Sequence, residues 1–267
     1  MFPLFTKTFP ASTAELTAAL NKSLERIFIL LAAPVSARGD GYPSLEQIAI
    51  SLDGAQLRPD PPRPAVARGE TAPALQVAEF KMSGRGLSFA GATADLNFGA
   101  ENLRLNSGRS AAGDIVLVLQ SATNGQVRVA TTKAALENII AQVAKAEAGK
   151  HGVTIDGVRL NLQADGPRAV AAEVQLRAKK LFLSASIRIT AHLALDENLN
   201  AKLSGLRCEG DGAIASVACG VLAPHLQKLD GREFALMALP LGEIRLRDMR
   251  LVVGDEIAVT AEFGAVA

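Results

Sequence analysis

The chain has 267 residues, 49% of them apolar and 21% charged, so it can bury a sizeable core without metals or a disulfide scaffold. Its 28 Lys and Arg nearly balance 27 Asp and Glu, which argues against a nucleic-acid binder with its usual basic excess. Ten Phe, one Tyr and no Trp leave few stacking platforms for single-stranded nucleic acid or carbohydrate.

Phe2, Phe5 and Phe9 form an apolar N-terminal arm. Ser12 and Glu15 make an S-x-x-E capping box, and Leu16, Leu20, Leu24, Ile27, Phe28 and Leu31 recur on one helical face. The spacing predicts a helix over 12–33, stopped by Pro34. The run from Ile27 to Ala33 followed by Val35-Ser36-Ala37 also has the outline of a short export signal, but its leader is long and the run is too short to span a bilayer. The helix reading is preferred. It places the protein in the cytoplasm or peripheral to a membrane, with export only if residues 1–37 act as an atypical signal.

Ile48, Ile50 and Leu52 alternate with Gln47 and Ser51 as a strand with one wet face, and Pro59, Pro61, Pro62, Pro64 and Pro73 then mark an exposed loop. Residues 1–74 therefore read as arm, helix and Pro-rich segment, and 75–267 as a β-rich domain, the whole forming one continuous unit. From Leu75 to Leu119 the chain reads as a meander of short strands, punctuated by Gly84, Gly86, Gly91, Gly99, Gly108 and Gly113 as turns or bulges. Asn124-Gly125 predicts a tight turn leading into the strand of Val127 and Val129. Thr131 or Thr132 caps a second helix, with Leu136, Ile139, Ile140 and Val143 on its apolar face and Gly149 at its end.

Period-two alternation is clearest next. It runs through Val153 and Ile155; Val158, Leu160 and Leu162; Val170, Ala172, Val174 and Leu176 after an Asp165-Gly166 turn; Leu181, Leu183, Ala185, Ile187 and Ile189; and Leu199, Ala201 and Leu203. These are long antiparallel strands with one buried face, some of them about eight to eleven residues against the usual five or six. A third helix covers about 213–229, with Ile214, Val217, Val221, Leu222, Leu226 and Leu229 on one side; Pro224 kinks it or delays its start. A hairpin closes the chain, its turn at Gly254-Asp255. Strands clustered in runs between helices indicate an α+β fold.

Little here carries chemistry. Gly210-Asp211-Gly212-Ala213-Ile214-Ala215 fits G-x-G-x-x-A, but the fingerprint needs a parallel βαβ unit and the flanking strands read as antiparallel. His151, His192 and His225 have no ligand spacing. Cys208 and Cys219 leave a bridge open, with buried free thiols the favoured reading. Asp156, Asp165, Asp196, Asp211, Asp230 and Asp255 lie at turns, where Asp bonds the local backbone. No catalytic residue, metal site or cofactor is expected, and the chain does not read as an enzyme.

Residues from about 75 to 263 nevertheless resemble the bacterial tubular lipid-binding (TULIP-like) superfamily, and within it the LmeA-like phospholipid-binding family. The resemblance rests on the passage Gly125-Gln126-Val127-Arg128-Val129-Ala130-Thr131-Thr132-Lys133-Ala134-Ala135-Leu136, the amphipathic strands from Ile155 to Leu195, and the ending Leu239-Pro240-Leu241-Gly242-Glu243-Ile244-Arg245-Leu246. These are loose patterns of turns and alternation. The resemblance implies a long, highly curved antiparallel sheet wrapped around amphipathic helices, with lipid held in the seam. Residues 1–74 and the missing clear export signal depart from it. Leu136, Ile140, Val143, Leu160, Leu176, Leu183 and Ile187 would line such a seam, or would fill it completely. The expected function is non-catalytic binding or transfer of a lipid or other hydrophobic small molecule, with transient membrane contact and no nucleic acid. The alternative is a structural or assembly protein that forms a homodimer or holds a protein partner through its apolar edges.

Overall fold

The computed structural model describes residues 2–62, 71–89, 91–150, 152–180, 183–235 and 245–264. Pro64, His151, Leu181 and the segment 239–244 lie outside the described residues, as do the side chains of Leu183, Ile214, Val221 and His225. The elements in chain order are β1 (Phe2–Pro3), α1 (Thr13–Ile27), β2 (Phe28–Ile29), β3 (Val35–Arg38), β4 (Ser44–Ser51), β5 (Gln56–Leu57), β6 (Ala72–Phe89), β7 (Ala92–Arg109), β8 (Ile115–Ser121) and β9 (Asn124–Thr132). Then come α2 (Lys133–Gly149), β10 (Thr154–Ala164), β11 (Ala169–Lys180), β12 (Leu183–Leu195), β13 (Asn200–Asp211), α3 (Ala213–Leu229), β14 (Glu233–Ala235), β15 (Arg245–Val253) and β16 (Glu256–Gly264). The molecule is mostly sheet with few helices, and both sheets are open. The chain forms two compact units, one of residues 1–129, 240–248 and 260–267, the other of 130–239 and 249–259.

In the first unit, α1 starts where the sequence places it. The Ser12 hydroxyl accepts the Glu15 N–H at 3.2 Å. The Glu15 carboxylate reaches back to the Ala11 N–H at 2.8 Å, one residue before the capping-box position. Leu16, Leu20 and Leu24 are buried. The helix stops at Ile27, six residues short of Ala33. Phe28 turns extended, Phe28 and Ile29 pair with β5, and the Arg58 N–H bonds the Ile27 carbonyl at 3.0 Å. Ile-Phe-Ile loses side-chain freedom in a helix and fits a pleated strand, so pairing wins over continuation. The amphipathic stretch is thus helix followed by strand. Leu4 and Val35 are buried in the same unit, and Asn21 accepts the Val35 N–H at 3.0 Å.

The sheet order is β15-β16-β9-β7-β6-β4-β3. Within the expected meander, the pieces before residue 110 join into two strands of 18 residues each, β6 and β7, and the run from Ile115 follows as the short β8. The two long strands pair antiparallel, with a register shift between Gly84 and Leu87. Gly84 and Gly86 therefore mark a bulge, whereas Gly99 and Gly108 lie within a continuous strand. β4 runs parallel to β6, and so does β5. This sheet is mixed rather than antiparallel throughout. Position 74, where the composition breaks, lies inside β6 and inside the first unit.

Asn124-Gly125 opens β9 rather than forming a tight turn. The Phe263 ring occupies the place a Cβ on residue 125 would take. Phe263 stacks on Phe98 at 5.4 Å, and Phe98 meets Phe80 edge-on at 5.5 Å. Close ring approach explains this glycine.

The second unit carries a sheet in the order β10-β11-β12-β13-β14, antiparallel throughout. Strands β10 to β13 have 11, 12, 13 and 12 residues. Ile155, Leu160, Leu176, Ala178, Ala185 and Ile187 are buried on one face; Arg159, Arg177 and Arg188 are exposed on the other. Thr132 caps α2, its hydroxyl accepting the Ala135 N–H at 3.2 Å. α3 contains Pro224 in its interior. Cys208 on β13 and Cys219 on α3 form a disulfide with Cα atoms 5.3 Å apart, which replaces the expectation of free thiols. The chain folds straight back at Gly212, so α3 returns along the strand it has just left and brings the two cysteines together.

Candidate functional site

The candidate site is the seam within the second unit where α2 and α3 lie on the inner face of the sheet. Cross-strand register sets that face as a series of rows. Val158, Leu176 and Ile187 share one row, and Leu160, Val174 and Ile189 the next. Leu162, Ala172 and Ala191 follow, then Ala164, Val170 and Leu193. Aligned residues on neighbouring strands point to one side, so these rows make a single apolar floor.

Each helix is fixed to the floor by a polar bond and by packing. The Glu137 carboxylate on α2 accepts the Leu160 N–H at 2.8 Å, satisfying a donor on the edge strand β10. Ile140, Ala144 and Ala148 pack against Ile155, Leu176 and their neighbours. From α3, Ala215 is fully buried in the same cluster, and Ala218 and Cys219 lie against it. At its far end the Asp230 carboxylate accepts the Leu206 N–H at 3.0 Å, and the Gly231 N–H bonds the Leu203 carbonyl at 2.8 Å. One end of the floor is thereby closed over Ile155, Leu176, Ala178, Ala185 and Ile187. Toward the β10–β11 turn, Leu162, Val170, Ala172, Ala191 and Leu193 of the same face stay only half-buried.

The residues expected to line the seam separate along it. Leu160, Leu176 and Ile187 are 4%, 8% and 5% exposed and belong to the packed core. Leu136 and Ile140 are half-buried on α2. Val143 is 60% exposed and turned to solvent. The Leu183 backbone pairs with Lys180. Ala191 and Leu193 were absent from the expected lining, although the alternation that runs through Ile187 and Ile189 continues into them.

Among the described residues, the Glu137 carboxylate reaches the seam, where the Leu160 N–H donates to it. On the opposite face Arg188 lies 3.6 Å from Glu173. His192 lies 3.6 Å from Asp165. Hydrogen bonds from Arg85 hold the Asp53 carboxyl below its ordinary range, Lys81 and then Gln47 do the same for Glu79, and Asn200 does so for Asp196. All three are local hydrogen-bond effects on half-buried or exposed carboxylates, the pattern of turn and strand-ladder structure rather than of a tuned acid–base pair. Among the described residues, no group of three or more His, Cys, Asp or Glu could hold a metal ion.

The glycine fingerprint also resolves into packing. β13 is antiparallel to both of its neighbours. A Cβ on Gly210 would stand 2.6 Å from both the Ala215 Cβ and the Ser186 carbonyl. Two concavities, of about 400 and 310 Å³, lie in the first unit. The larger sets Glu79, Glu101, Glu262, Lys81 and Arg247 beside Phe80, Ala100 and Phe263. No helix among the described residues is long and apolar enough to cross a membrane. Comparison with protein-family models, curated proteins and solved structures finds no match for this chain.

Proposed function

We propose that the second unit binds, and hands on, a lipid or other hydrophobic small molecule in the seam between α2, α3 and the sheet, without covalent chemistry. The observation that carries this reading is the inner sheet face itself. Its rows are closed by helices at one end and half-buried at Leu162, Val170, Ala172, Ala191 and Leu193 at the other. An acyl chain laid on those rows would remove them from water, gaining about 0.8 kcal/mol for each methylene it buries. Apolar lining with few polar groups is the usual chemistry of such sites. A TULIP-like architecture, with a curved sheet wrapping the helices, belongs to the same proposal. The alternative of assembly through the Phe-rich arm is less well supported. Phe2 pairs with Leu117, Leu4 is buried, and Phe5 lies under the Arg26 guanidinium at 4.7 Å.

Native mass spectrometry tests the reading. Protein mixed with vesicles of phosphatidylethanolamine and phosphatidylglycerol is expected to gain the mass of one phospholipid. An Ala191→Glu variant, which places a charge on the floor, should lose that mass, and Ser186→Glu on the opposite face should keep it. Protein that stays at its bare mass after incubation overturns the proposal.

A further inference from the structure

We propose that the smaller concavity of the first unit is a second binding site, one that takes a small monocarboxylate with an apolar body. It lies where β4, β6 and β7 run side by side. Ser44 pairs with Gln76 and Gln76 with Arg104, so the three side chains stand next to one another on one face of three strands. Two bulges break the ladder beside them. Ala74 is the extra residue of β6, between Pro73 and Leu75. Gln120 is the extra residue of β8, between the partners of Arg104 and Leu105. A bulge re-aims a side chain, and Gln120 lines the concavity with Ser44, Gln76 and Arg104. Pro43, Pro73 and Leu105 add apolar wall. At about 310 Å³ the space stands at the small end of ligand pockets, which run from about 300 Å³ upward.

What marks the site is a charge that the chain does not itself satisfy. Elsewhere in the first unit the Arg26 guanidinium lies over Phe5, Arg38 donates to Gln47, Arg58 to the Glu25 carbonyl, Arg85 to Asp53, Arg109 to the Lys7 carbonyl and Arg247 to the Thr123 carbonyl. Arg104 bonds no described residue, and neither do the Ser44, Gln76 and Gln120 side chains. Among the described residues no carboxylate lines the concavity. The guanidinium fork fits a planar carboxylate through two parallel N–H···O bonds. The two Gln amides and the Ser44 hydroxyl are further donors. Charge sets the class of ligand. One cation balances one anion, whereas a phosphate dianion would bring a negative charge that nothing in the concavity matches, and an uncharged ligand would cover Arg104 without pairing it. The inference is independent of the lipid reading, which concerns the second unit.

Saturation-transfer NMR on the full chain tests this, with hexanoate as the probe and hexanamide as its uncharged counterpart. Hexanoate is expected to bind saturably, and hexanamide at least tenfold more weakly. Arg104→Gln should weaken hexanoate at least tenfold and Gln120→Leu severalfold. Arg177→Gln, at an exposed arginine of the second unit, should leave it unchanged. Urea midpoints equal to the parent's show that the variants fold. Hexanoate that fails to bind, or that binds Arg104→Gln as well as the parent protein, overturns the site. Equal binding of hexanamide overturns it too, because the charge is then not read. Binding that survives Arg104→Gln and disappears in Ala191→Glu belongs to the apolar floor of the second unit; it overturns this inference and supports the lipid reading.

Discussion

Gly210 sits where β13 hands the chain to α3, between the Ser186 carbonyl and the Ala215 methyl. Neither neighbour is the loose end of a long side chain, so an added methyl must push strand or helix backbone. We expect Gly210→Ala to cost about 1–3 kcal/mol, read as a lower urea midpoint at unchanged slope. Gly220, within α3, has nothing within 4 Å of the same position, and Gly220→Ala should gain about 0.5–1 kcal/mol in helix propensity. A neutral Gly210→Ala would mean that helix and strand are not in close contact there. The contrast also shows what can be read from sequence at this scale. The Ser12 and Thr132 caps are legible because both partners lie within three residues. Gly125 and Gly210 are not, because the atoms that crowd them, Phe263 and Ser186, arrive from distant strands. Cys208 and Cys219 read as free thiols for the same reason: only the fold-back of α3 brings them together.

At the scale of the element, starts were easier to place than ends. Leu20 and Leu31 share one helical face in the sequence pattern, yet Leu20 is 5% exposed and Leu31 85%. Truncating the first leaves a cavity in the first unit's core; truncating the second removes atoms already in water. Leu20→Ala should cost about 2–5 kcal/mol, and Leu31→Ala should stay within about 0.5 kcal/mol. Thermal or urea unfolding of the two variants reads the difference directly, and equal losses would show that the helix continues past Ile27. The strands of the second unit were legible through their alternation because each pairs with its neighbour in sequence, so one pattern fixes both face and partner. The parallel pairing of β4 with β6 was hidden, since it spans the Pro-rich segment and leaves no local signal. The site was half legible on the same grounds. Leu160, Leu176 and Ile187 point inward as their spacing says. Whether an inward residue meets core or groove depends on where α2 and α3 lie, which no periodicity carries.

Over the whole molecule, the chain passes from one unit to the other at 129, 239, 248 and 259. The composition break at 74 falls within strand β6. Three strands, β9, β15 and β16, each supply residues to both units, so neither unit is a contiguous piece of chain. A strand that frays in one unit releases the segment that continues it in the other, and this connectivity should join the two in a single unfolding transition. Two probes separate the cases. Tyr42, the only tyrosine, lies in the first unit with its hydroxyl donating to the Pro10 carbonyl; its fluorescence reports that unit alone. Amides of β11 and β12 report the second by hydrogen exchange at increasing urea. We expect the two midpoints to coincide, as two-state behaviour requires. If β11 and β12 keep their protection at urea concentrations where the Tyr42 signal is already that of unfolded chain, the units fold independently. The shared strands would then be passive connections, and the second unit could be studied on its own for ligand binding.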